Sequence, residues 1–161
     1  MVSGTSTTED VVQVEARRLW NATTKDSHNF LPKVLPEVFT SVTLLQGDGG
    51  VGTVKHIIFT PGKRDYSFIM ERVDELDEQN FVYKYSVIEG GPLGNKLSSA
   101  CFVVKLVPRK EGGCVASWTC NYETLPGVQP DEGKMKELKE DSLVMLRKVE
   151  KYLLSNPNLY C

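Results

Sequence analysis

Polar and apolar residues alternate with a period of two through most of the chain, and that period marks strands half-buried in a sheet. "TTEDVVQVEA" (7–16) carries a short apolar run and predicts a first strand. "ARRLWNATTKD" and "SHNFLPKVLP" lose the alternation and read as two short helices, the second capped by Asp26 or Ser27 and closed by Pro36. Strand patterns then follow in succession: "VFTSVTLLQ", "TVKHIIFT", "YSFIMERVDELD", "FVYKYSVIE", "KLSSACFVVKLVP" and "CVASWTCNYETL". Short turns join them, among them Asp77 to Asn80 and Glu111-Gly112-Gly113. From Pro130 to about Ser155 the period becomes helical, with Met135, Leu138, Met145, Val149 and Tyr152 at three- and four-residue steps. A helix of that span is about 37 Å long, enough to lie across a whole sheet. The order predicts an α+β fold with an antiparallel sheet.

The alternation also assigns faces. Phe81, Tyr83, Tyr85 and Val87 share one side of their strand. Lys55, Ile57 and Phe59 share a side, as do Ala100, Phe102 and Val104. In the fourth strand the phase holding Tyr66, Phe68, Met70 and Arg72 is the one expected inside. The helix stripe breaks at Asp141 and Ser142, where a core helix would carry Leu. A dry core would have to satisfy the polar ends of Tyr83, Tyr85, Arg72, Lys55, Asp141 and Ser142. A wet cavity with a few placed polar groups satisfies them at lower cost, and ligand pockets have that composition.

The stretch "GDGGVG" (Gly47, Asp48, Gly49, Gly50, Val51, Gly52) invites a nucleotide reading. Gly47, Gly49 and Gly52 fit G-x-G-x-x-G, and with Val54 the glycine loop of a protein kinase. A dinucleotide or P-loop glycine run must open a helix, whose free N–H groups hold the phosphate. Here "TVKHIIFT" follows, with β-branched residues and no helical period. Thr53 occupies the place of the P-loop lysine, and 161 residues without HRD or DFG do not make a kinase. The loop therefore predicts a turn between antiparallel strands, with a backbone anion nest as the other reading.

Composition adds boundaries rather than a function. The chain is 40% hydrophobic and 25% charged with a net charge of -2, so no global basic field draws it to nucleic acid or anionic lipid. A single domain over 1–161 is expected. "MVSGTSTTED" lacks a basic segment followed by an apolar one, and no apolar run reaches a membrane span, so a cytoplasmic protein is expected. Cys101, Cys114, Cys120 and Cys161 form no C-x-x-C pair and lie far from His28 and His56, so free thiols are expected, with no metal and no cofactor.

"LPKVLPEVFTSV", "GDGGVGTVK", "RVDELD", "FVYKYSVIEGGPLG" and "VEKYLLSNPNLY" occur in an order and spacing that resemble the plant pathogenesis-related class 10 family, the family of the birch pollen major allergen. The resemblance runs from about residue 7 to residue 160. It implies a seven-stranded antiparallel sheet curved around a long C-terminal helix, two short helices bracing its open end, and a large cavity in between. It implies a monomer binding small apolar ligands such as the plant hormones of the cytokinin class, flavonoids or sterols, as carrier or buffer. In the strand "CVASWTC" the family register places Val115, Ser117 and Thr119 inward, whereas hydrophobicity alone selects Trp118. The expected ligand-facing set combines faces and family: Phe39, Lys55, Ile57, Phe59, Tyr66, Phe68, Arg72, Tyr83, Tyr85, Val87, Leu93, Ala100, Phe102, Val104, Ser117, Leu138, Asp141, Ser142 and Met145.

The resemblance also carries alternatives. A ribonuclease activity attributed to the family maps onto Lys55, Glu150 and Tyr152, but Ser98 replaces a further glutamate of that proposal. An alkaloid-condensing branch exists, without a clear Tyr/Glu/Lys set here. Abscisic-acid receptors resemble this fold and inhibit phosphatases. Their gate Ser-Gly-Leu-Pro-Ala is replaced by "TPGKRD" (60–65), and their latch His-Arg-Leu by "GGPLG" (90–94).

Overall fold

The computed structural model describes residues 1–62 and 64–161, so of the "TPGKRD" segment Lys63 lies outside the described residues. Seven strands form one antiparallel sheet: β1 (Ser3–Val12), β2 (Phe39–Gln46), β3 (Val54–Phe59), β4 (Phe68–Asp77), β5 (Val82–Gly90), β6 (Leu97–Pro108) and β7 (Cys114–Thr124). Their spatial order is β1-β7-β6-β5-β4-β3-β2. Helix α1 (Ala16–Trp20) and helix α2 (Ser27–Val34) separate β1 from β2, and helix α3 (Glu132–Ser155) closes the chain.

β1 starts earlier than its apolar run suggests. It pairs with β7 from Ser3↔Glu123 to Val12↔Cys114, and its Ser/Thr half is held on the outer face by cross-strand polar contacts. Thr5 Oγ1 donates to Asn121 Oδ1 at 2.9 Å, and the Thr7 and Thr119 hydroxyls meet at 3.0 Å. Between α1 and α2 the chain makes one π-helical turn, Asn21–Lys25. Asp26 stands at the α2 N-cap but makes no side-chain cap bond. Its carboxylate accepts from Tyr160 Oη at 2.6 Å and from Asn29 Nδ2 at 2.9 Å, while the Ser27 hydroxyl accepts from Lys55. Both expected caps thus serve tertiary contacts.

The fully buried apolar residues gather at one end of the molecule. Val12, Leu19, Trp20, Phe30, Leu35, Cys114 and Leu153 are all 2% exposed or less. The C-terminal turns of α3 belong to this cluster through Val149 and Leu153. Arg18 clamps the same end: its guanidinium donates to the carbonyls of Leu153 (2.9 Å), Asn156 (2.8 Å) and Leu159 (3.0 Å). Leu153 O also accepts from Asn156 N and Asn156 O from Leu159 N, so the guanidinium adds a second donor to those two, and a cation there also meets the negative end of the helix dipole. No helix among the described residues is long and apolar enough to cross a membrane.

Candidate functional site

The inner face of the sheet continues away from that packed end. Lys55, Ile57 and Phe59 of β3 are buried there, and Tyr83, Val87 and Ala100 extend the face over β5 and β6. Tyr83 and Tyr85 lie 5.1 Å apart ring to ring, and Tyr85 stacks on Phe102 at 5.0 Å and 13°. Cross-strand pairing puts Val104 beside Tyr83.

Strand β4 takes the phase opposite to the expected one. Its register with β3 pairs Ile57 with Ile69 and Lys55 with Glu71, so Ile69, Glu71 and Val73 face inward. Phe68 instead packs edge-on to His56 at 5.5 Å on the outer face. Arg72 is exposed and its Nε donates to Asp74 at 2.9 Å. A shift of one residue exchanges the two faces of a strand. Both phases of "FIMERV" hold apolar residues, so hydrophobicity does not separate them. The partner does: an inward Lys55 places Glu71, not Arg72, opposite the amine.

Strand β7 follows its hydrophobicity. Phe102 pairs with Cys120, Val104 with Trp118 and Leu106 with the buried Ala116, so the even-numbered residues face inward. Ser117 points outward with Val115 and Thr119, and the register taken from the family resemblance is overturned.

Lys55 and Glu71 are the two charged side chains that are buried among the described residues. Lys55 Nζ donates to Ser27 Oγ at 3.0 Å and Tyr83 Oη at 3.3 Å, and it lies 5.1 Å from the centre of the Tyr83 ring. Burial lowers the amine pKa, against the pull of the Glu71 charge. Burial pushes the Glu71 carboxyl up to about 7, against the pull of Lys55. Burial, with Glu71 adding to it, raises the Tyr83 phenol. The same cause holds the Tyr85 phenol well above its ordinary value.

Toward the other end, Phe59 packs against Phe39 (5.8 Å) and Tyr66 (5.5 Å), and the Arg64 guanidinium lies 5.0 Å above the Phe59 ring. Val38, Arg64, Asp141, Val144 and Met145 line a narrow cleft here, edged by the Glu37–Lys148 ion pair at 2.6 Å. No residue of α3 from Glu132 to Lys148 is buried. Leu138, Ser142 and Met145 are half-buried, and Asp141 is at the cleft. Leu93 lies in the β5–β6 connection and bridges to Leu97.

The glycine loop joins β2 to β3. Gly47, Gly49 and Gly52 have φ of +88°, +107° and +90°, angles that glycine adopts without strain. The amides of Gly49, Gly50, Gly52 and Thr53 are already engaged. Gly49 N donates to Thr53 Oγ1, Gly50 N to Asp48 Oδ1, Gly52 N to the Val73 carbonyl and Thr53 N to the Gly50 carbonyl. A phosphate would have to displace these bonds.

The three ribonuclease candidates have separate partners. Lys55 is inside, Glu150 accepts from Gln13 N at 2.8 Å and from Arg147, and Tyr152 packs edge-on to Phe30 at 5.8 Å. Ser98 Oγ donates to the Glu123 carbonyl.

Ser27, Ile69, Glu71, Arg64 and Trp118 are inner or cleft residues absent from the expected set. Pairing β4 to β3 by charge would have found Glu71, and trusting the hydrophobicity of β7 would have found Trp118.

The model of the Pathogenesis-related protein Bet v 1 family matches residues 1–156. The chain is 38% identical over 154 residues to Major strawberry allergen Fra a 1-2 of Fragaria ananassa, covering 96% of each. Among solved structures, Ara h 8.0201 superposes with a TM-score of 0.82 at 24% identity, covering 96% of this chain and 99% of that one. Norcoclaurine synthase from Thalictrum flavum, in complex with dopamine and hydroxybenzaldehyde, superposes with a TM-score of 0.74 at 25% identity, covering 96% and 88%.

Proposed function

Because the chain belongs to the Bet v 1 family of pathogenesis-related proteins, we propose that it holds a small apolar ligand between the sheet and α3, as a monomeric carrier or buffer in the cytoplasm. The proposed ligands are of the cytokinin, flavonoid or sterol class. One observation supports this reading above the rest. Tyr85, Phe102, Val104, Trp118 and Cys120 lie on the inner face of the sheet, yet each keeps accessible surface. Burial nonetheless desolvates the Tyr85 phenol strongly. A group that is both desolvated and accessible is what an enclosed space would have at its border, and α3 from Glu132 to Lys148 contributes no buried residue that would fill it. Lys55, Glu71, Ser27 and Tyr83 then form a polar floor beside an aromatic wall, the few placed polar groups that orient a ligand.

The test is displacement of a fluorescent apolar probe. The purified protein should enhance the probe's emission, and cytokinin- or flavonoid-sized molecules should displace it at one site per chain. No enhancement by any of several probes, and no ligand-induced rise in Tm, would overturn the reading.

A further inference from the structure

Lys55 is a primary amine set where amines are rarely found, 4% exposed on the inner face of a sheet. Its surroundings are more specific than a salt bridge requires. Two hydroxyls, Ser27 Oγ at 3.0 Å and Tyr83 Oη at 3.3 Å, take its N–H groups, and a carboxyl stands directly across the β3–β4 ladder. A neutral amine has two N–H bonds and one lone pair. With both N–H bonds directed at Ser27 and Tyr83, the lone pair points away from them, available to an electrophile.

We propose that Lys55 captures aldehydes or ketones as imines, with Glu71 carrying the protons and Ser27 and Tyr83 positioning the amine; this rests on the reading of the adjoining space as a ligand cavity. The nitrogen lone pair forms a bond to the carbonyl carbon while the carbonyl π pair moves to oxygen. One proton passes from nitrogen to that oxygen through Glu71, leaving a carbinolamine. Glu71 in its acid form then protonates the hydroxyl, the C–O bond breaks and water leaves. The nitrogen lone pair closes the C=N bond, and the iminium N–H proton returns to the Glu71 carboxylate. Amine and carbonyl compound give imine and one water, with no oxidant or reductant.

The electrostatics agree with these roles. Desolvation lowers the amine pKa, which raises the share of free base, the nucleophilic form. A carboxyl held at about 7 is present in both of its forms at neutral pH, as a group that takes a proton and then returns one must be. The groups facing the amine come from three elements: Ser27 of α2, Glu71 of β4 and Tyr83 of β5. The half-buried amine of Lys134 is different, because Asp65 at 3.2 Å holds it protonated.

The experiment uses the whole chain at neutral pH with 4-methylbenzaldehyde and cyanoborohydride, which reduces an imine to a stable secondary amine. Its alcohol, 4-methylbenzyl alcohol, is the non-carbonyl control, and both are tested for displacement of the fluorescent probe. One adduct per chain is expected, mapping to Lys55 by peptide mass spectrometry. Lys55→Met and Lys55→Arg should lose it, and Glu71→Gln should slow its formation while leaving it on Lys55. Because mapping is done on the unaltered protein, a variant that fails to fold does not blunt the test. Labelling spread over exposed lysines with Lys55 spared overturns the proposal. If the alcohol displaces the probe but the aldehyde leaves no adduct on Lys55, imine capture falls and the cavity stands. If neither compound displaces the probe, the cavity reading falls as well.

Discussion

Replacing Glu71 by Gln should remove most of the pH dependence of stability between about pH 4.5 and 8. Glutamine keeps the shape and the hydrogen-bonding oxygen of glutamate but cannot ionise. In the folded chain the Glu71 carboxyl is raised from 4.5 to about 7. The folded state therefore binds a proton that the unfolded chain has released. The stability linked to this group is fully present below pH 4.5 and is lost as pH rises through 7. A shift of this size corresponds to about 3 kcal/mol, and for a chain of this length to a Tm change on the order of 10 °C. The neighbouring shifted carboxylates titrate outside the window. Asp10, Asp77 and Glu78 are held below their ordinary values, chiefly by the Val11 amide, the Asn80 side chain and Lys25, so their contributions are lost on the acid side. Lys55 is lowered from 10.5, so its own contribution grows as pH climbs toward that value, with the opposite sign. Melting curves of both proteins at half-unit steps from pH 4.5 to 8 make the comparison. The unaltered chain should lose Tm across the range and Glu71→Gln should not. Parallel curves would mean that Glu71 is solvated, and the buried pair would be refuted.

Arg18→Ala removes the charged donor from three carbonyls at the end of α3, two of which keep a backbone donor. It should cost about 2 kcal/mol in chemical denaturation, and an unchanged midpoint would show the clamp to be idle. Trp118 faces inward and Ser117 outward, so ligand binding should alter the Trp118 emission, and Ser117→Leu should leave affinity unchanged. A loss of affinity in Ser117→Leu would restore the opposite register. Millimolar ATP or NAD should raise Tm no more than inorganic phosphate at equal ionic strength, because the amides of Gly49, Gly50 and Gly52 are already bonded. A shift of several degrees with ATP alone would reinstate the nucleotide reading.

The architecture was legible because long stretches keep one period. The faces of β3, β5 and β6 could be read from Ile57, Phe59, Tyr83, Tyr85, Phe102 and Val104 directly. Two strands resisted. In β4 the apolar residues divide between the two phases, and pairing with Lys55 decides, which is information held by another strand. In β7 the local signal of Trp118 was right and the borrowed register was wrong. The polar start of β1 carries no hydrophobic alternation, since Thr5 and Thr7 are held by hydrogen bonds to β7. Nothing local announces the π-helical turn at Asn21–Lys25. Ser27 read as a helix cap because its partner, Lys55, lies 28 residues away.

The uneven anchoring of α3 makes the helix a beam fixed at one end. Val149, Leu153 and the Arg18 clamp hold its last turns, while its first four turns contribute no buried residue and are held more lightly, by the Lys134–Asp65 ion pair and half-buried Met145 and Leu146. On the proposed ligand reading, a bulky guest would bend that arm of the helix outward and a slim one would let it settle, so the volume on offer would be elastic. The polar floor does not yield in the same way, since Lys55 and Tyr83 sit on adjacent parts of a hydrogen-bonded sheet and Ser27 on a helix packed against it. A carrier built this way would be lenient toward girth and strict toward the placement of polar atoms, two tolerances set by two mechanically different walls.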